Sequence, residues 1–155
     1  MIQYDMNKAV RGNIPNPLVA QARTYLGVPW RHMGRTRRGV DCAGLLICAY
    51  ADLGIVVPVI EHYGREPHRD GLMSGVRKAL GEPVLDGPKV GDIVVMTSAA
   101  FGATQPHHLG IIGDDPHHGL SLIHADGEPS VSRVSEVGLS DQYRRRIVAV
   151  FRRAV

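Results

Sequence analysis

From Asn16 onward the apolar positions recur at helical spacing. Leu18, Val19, Ala22, Tyr25 and Leu26 share one face, with a capping Asn16 and Pro17 before them and Gly27 after them. A cap, a first-turn proline and a terminal glycine around one apolar stripe predict a helix. A second run, Leu45, Leu46, Ala49, Tyr50 and Leu53, follows Asp41 and stops at Gly54. A third, Leu72, Met73, Val76 and Leu80, lies between Asp70, read as its cap, and Gly81. From Val90 the period changes. Short apolar runs at 92–97, 109–112, 120–124, 130–134 and 147–151 alternate with turn residues and read as strands. Residues 1–15 read as an irregular arm, residues 56–67 have no clear period, and residues 82–89 form a Pro/Gly linker within the domain. Helices first and strands second predict an α+β fold on a mostly antiparallel sheet.

Composition narrows this only a little. The chain has 155 residues, 44% hydrophobic and 21% charged, which suits one folded domain over 1–155. A net charge of +3 with 5% aromatics gives no case for nucleic acid. No run approaches the roughly 20 apolar residues of a membrane span. The start of the chain carries Asp5, Lys8 and Arg11 and does not read as a signal peptide, so synthesis in the cytoplasm is expected. Cys42 and Cys48 lie six apart on the second predicted helix and should not bridge. The arginines of 144–153 read as a solvated face.

Candidate chemistry begins at Cys42. It follows the capping Asp41, where the helix dipole favours thiolate, and Arg35, Arg37 and Arg38 upstream would act in the same sense. A nucleophile and a small core cysteine are both compatible with this placement. Trp30, the one tryptophan, falls in the loop 28–34; it reads as a core plug or as a wall of a substrate cleft.

Eight histidines are present, five of them between His107 and His124. Metal binding is one reading, but adjacent histidines on a strand face opposite ways, and His117-His118 sit in a turn. Strand pairing gives the other. An antiparallel hairpin that pairs Ile112 with Leu120 sets His108 directly opposite His124, where one imidazole can orient the other. Cys42, His108 and His124 then form a nucleophile, a base and an orienting group, with no metal or cofactor. His107 points to the other face, and His32, His62 and His68 read as surface positions.

Four pieces in this order resemble the NlpC/P60 family of cysteine peptidases: Gly27-Val28-Pro29-Trp30, Val40-Asp41-Cys42-Ala43-Gly44-Leu45, Val90-Gly91-Asp92-Ile93-Val94, and His108-Leu109-Gly110-Ile111 with Leu122-Ile123-His124-Ala125. The resemblance implies a papain-like α+β fold, Cys42 as nucleophile, His108 as base and His124 as the third polar residue. It also implies substrate contacts at Trp30, Asp41 and Ala43, and a substrate in the peptide stems of bacterial cell wall. Family members often carry Ser where this chain has Ala43, and Tyr where it has Trp30. A short chain without a signal peptide further resembles the subgroup that rides on phage tails, which makes tail proteins the expected partners. The alternatives are a non-catalytic wall- or partner-binding tail component and another thiol acyl or amide hydrolase.

Overall fold

A computed structural model describes residues 14–58, 71–100, 102–117 and 119–155. Residues 1–13 of the arm expected at 1–15, the Asp70 cap, His62, His68 and His118 lie outside these residues. Helix α1 (Pro17–Arg23) begins where the sequence places it, with Asn16 accepting from the backbone N–H of Leu18 and Val19. A two-stranded hairpin, β1 (Arg35–Thr36) and β2 (Gly39–Val40), follows and leads into α2 (Cys42–Asp52). The hairpin is too short to leave a periodic signal. Asp41 caps α2 through the N–H of Gly44, and the helix is walled by buried neighbours along most of its length. Helix α3 (Leu72–Leu80) has Gly71 at its N-cap with φ +82°, and Gly81 ends it at φ +85°.

The second half forms one antiparallel sheet of β3 (Ile93–Met96), β4 (His108–Asp115), β5 (Gly119–Asp126), β6 (Arg133–Gly138) and β7 (Ile147–Phe151), in the order β6-β5-β4-β3-β7. The fold is therefore α+β. Strand β6 starts later than the 130–134 run predicts, because residues 129–131 turn on backbone bonds to Glu128. A one-turn helix, α4 (Asp141–Arg144), capped by Ser140, precedes β7.

The sheet has two apolar faces. Ile93, Val95, Leu109, Ile111, Ile123 and Ala125 pack with α1, α2 and α3. Val94, Met96, Ile112 and Leu122 point the other way, toward Leu139 and Val150. His108 and His124 share the parity of this second set, so they leave the main core and face the region of α4.

Candidate active site

The hairpin of β4 and β5 sets the histidines, and its register corrects the sequence expectation. Ile112 lies opposite Leu122, not Leu120, and Ile111 opposite Ile123. The strands run through Asp114 and Asp115 to a tighter turn that closes at Gly119, whose φ is +81°. Polar residues continue the ladder here because only their exposed side chains change, while the backbone still pairs. The register differs by two residues, so both histidines keep their face. Gly110 comes to lie across from His124, and the imidazoles meet on the diagonal. Diagonal neighbours are roughly 7–8 Å apart at their roots, within reach of aromatic rings. Nε2 of His108 and Nδ1 of His124 are 2.7 Å apart, with the rings at 75°.

This bond restricts the tautomers. If Nε2–H of His108 donates to Nδ1 of His124, Nδ1 of His108 remains an acceptor, as a base requires. The proton of His124 then sits on Nε2, which is buried and has no hydrogen-bond partner among the described residues. Burial holds the pKa of His108 well below its ordinary value, with His124, Arg146 and His107 acting the same way. Burial also lowers His124, with the Asp126 carboxylate opposing and Arg146 reinforcing. Both rings are neutral at neutral pH.

Cys42 opens α2 and is partly exposed. The backbone N–H groups of Leu109, Ala43 and Cys42 itself favour its thiolate, as a helix start predicts. Two larger effects win. Burial, and then the charge of the adjacent Asp41, push the thiol up to about 12. Both oppose the thiolate that the helix start favours. The upstream arginines do not help it. Arg35 pairs with Asp41 at 3.1 Å, and Arg37 reaches Asp52 at the far end of the helix. Among the described residues no hydrogen bond joins the thiol to either imidazole; Leu109, the neighbour of His108, makes the strand's contact with sulfur. Catalytic hydrogen bonds are often long in unliganded enzymes and tighten with substrate.

Trp30, Asp126, Glu128, Tyr143 and Arg146 line a cavity of about 470 Å³ together with His107, His108 and His124. Trp30 packs against the main core and also borders this cleft, its indole lying over Gly127. Asp41 lies elsewhere. It is 2% exposed, and its oxygens accept from Gly44 N–H at 2.8 Å and Met33 N–H at 2.7 Å as well as from Arg35. Ala43 is buried, and its side chain borders a separate apolar crevice with Leu46 and Val76. Asp41 and Ala43 thus lie around the start of α2 rather than in the wall of the cleft.

Sequence reasoning missed the contribution of α4 and the residues after it. Arg146 lines the cavity and Arg152 holds the buried Asp92 at 2.8 Å, so the arginines of 144–153 are not simply a solvated face. Cys42 and Cys48 are both free thiols. Among the described residues, no cluster of His, Cys, Asp and Glu is arranged to hold a metal ion. No helix there is long and apolar enough to cross a membrane.

Three solved structures share this architecture. An NLP/P60-family protein similar to lipoprotein from Staphylococcus aureus superposes with a TM-score of 0.59 at 18% identity, over 94% of this chain and 46% of that one. The NlpC/p60 domain of the peptidoglycan hydrolase SagA gives 0.58 at 20% identity, over 88% and 97%. An NlpC/P60 protein from Bacillus cereus gives 0.60 at 22% identity, over 88% and 39%. The chain thus spans less than half the length of the Staphylococcus aureus and Bacillus cereus structures. A search of curated protein sequences gave no significant match. The likeness to the structures is one of fold, but the NlpC/P60 family profile also matches residues 27–148 in sequence, most of the chain. The chain belongs to the NlpC/P60 family.

Proposed function

We propose that this chain is a cysteine peptidase that hydrolyses amide bonds in the stem peptides of bacterial peptidoglycan, such as that from D-glutamyl to diaminopimelate. One observation carries the reading: a thiol at a helix start, surrounded by backbone N–H donors, lies next to the strand that presents a neutral, hydrogen-bonded histidine pair to an open cleft.

Sulfur attacks the peptide carbonyl as Nδ1 of His108 takes the thiol proton. Because thiol and imidazole both rest neutral, this transfer accompanies attack rather than preceding it. The N–H groups of Cys42 and Ala43 or Leu109 are the donors available to the oxyanion. Losing one such donor typically costs about 10²–10³ in rate. His108 returns the proton to the leaving amine, a thioester remains on Cys42, and a water activated by His108 hydrolyses it. His124 fixes the tautomer and direction of His108.

The test is mass spectrometry of purified muropeptides incubated with the wild type and with Cys42→Ala. New fragments with the wild type alone support the reading; equal cleavage by Cys42→Ala overturns it. Delivery on a phage tail is proposed on the resemblance to the tail-associated subgroup, and detection of the chain in purified tail particles tests it.

A further inference from the structure

The cleft wall carries an arginine, Arg146, that forms no ion pair with a described carboxylate. Arg146 is half-buried just after α4. Its Nε and Nη2 both donate to the carbonyl of Thr97, at 3.1 and 3.0 Å, and its guanidinium lies 5.5 Å from the centre of the Tyr143 ring. These contacts fix the guanidinium plane against the end of β3 and leave Nη1 uncommitted among the described residues. Arg23, Arg35, Arg37 and Arg152 each pair with an acid; Arg146 does not. A positive charge here also disfavours protonation of both histidines, so it works against the charge that develops on His108 during attack. An anion bound beside it would offset that. Two carboxylates share the cavity wall, Asp126 at the end of β5 and Glu128 in the β5–β6 connection; Asp126 accepts from the Glu128 N–H at 2.9 Å, and neither forms an ion pair with Arg146.

We propose that Arg146 is a specificity-determining residue that binds a free carboxylate of the stem peptide, so that the chain prefers stems whose glutamyl α-carboxylate is unmodified over stems in which it is amidated. This rests on the peptidase reading above and names its substrate class. A planar guanidinium pinned on one edge presents its remaining donors to a carboxylate in fixed geometry, which an amide matches poorly.

Two synthetic peptides differing only in that group, acid or amide, provide the test in two measurements. The first is calorimetric binding to Cys42→Ala protein, which needs no turnover. The acid should bind about 10-fold to 100-fold more tightly, the range of one charge-assisted hydrogen bond. In Cys42→Ala with Arg146→Gln the ratio should fall toward one, and Arg146→Lys should restore part of it. The second is kcat/KM for hydrolysis by proteins with Cys42 intact, where the same ratio should follow Arg146. A ratio unchanged by Arg146→Gln, no preference in the parent protein, or no binding of either peptide overturns the proposal. Arg146-dependent binding of the acid without hydrolysis would instead uphold the carboxylate site and overturn the peptidase reading.

Discussion

At residue 42 two physical effects point in opposite directions, and their sizes decide the chemistry. The helix start and three backbone N–H groups favour the anion; burial and Asp41 disfavour it and prevail, pushing the thiol up to about 12. Alkylation of Cys42 by iodoacetamide at pH 7.5 is therefore expected to be no faster than that of an ordinary exposed cysteine. A rate well above that would show a resting thiolate and a pre-formed ion pair. The histidines divide by role. His108→Ala should lose about 10²–10⁴ in kcat, the usual contribution of a general base. His124→Gln should lose less, because its amide can still hold Nε2 of His108 at the 2.7 Å contact, whereas His124→Leu leaves that nitrogen unpaired. Equal activity of all three with the wild type would remove both roles. The types of these residues were legible in the sequence. The balance at the thiol was not, because it depends on packing from β4, far along the chain.

Helix α2 is held at its first turn by a contact between backbones. A Cβ added at Gly44 would collide with the carbonyl oxygen of Gly34, and backbone cannot swing aside as a side chain can. Gly44→Ala should therefore destabilise the fold at the high end of the roughly 1–3 kcal/mol usual for overpacking, and shift Cys42 against β4. Urea unfolding and thiol reactivity measured together would check it; an unchanged midpoint would mean that the loop at Gly34 yields freely. This element also shows what a sequence can and cannot give. Asp41, the apolar stripe and Gly54 marked α2 because capping and burial act locally. Strand alternation fixed which face carries His108 and His124, but not the register, since a two-residue shift leaves the hydrophobic pattern intact and only the turn selects among such shifts. The hairpin β1–β2 and the one-turn α4 were invisible because two to four residues cannot express a period. The pocket wall contributed by Tyr143 and Arg146 went unread with them.

For the molecule as a whole, the buried histidine pair links stability to pH. Both histidines are held below their ordinary pKa of 6.5, so they bind fewer protons folded than unfolded at mildly acid pH. Stability from this source is fully present above about pH 6.5 and is lost as pH falls below it. The depressed carboxyls of Asp86 and Asp52 act in the same sense but lower, since unfolded aspartates take up protons only around 3.8. The two acid limbs are thus separate in pH. On the alkaline side the raised thiols of Cys42 and Cys48 stay neutral in the fold while unfolded cysteine ionises near 9.0, so stability declines again above that value. Thermal unfolding should show a plateau between about pH 6.5 and 9, a first decline from 6.5 toward 5, and a steeper one below 4. Replacing both histidines by glutamine should flatten the first decline and spare the others. The same first decline in that double variant would assign it to groups outside the cleft. If instead it vanishes, the buried neutral pair, which the proposed mechanism needs as its base, is also what makes the fold sensitive to mild acid.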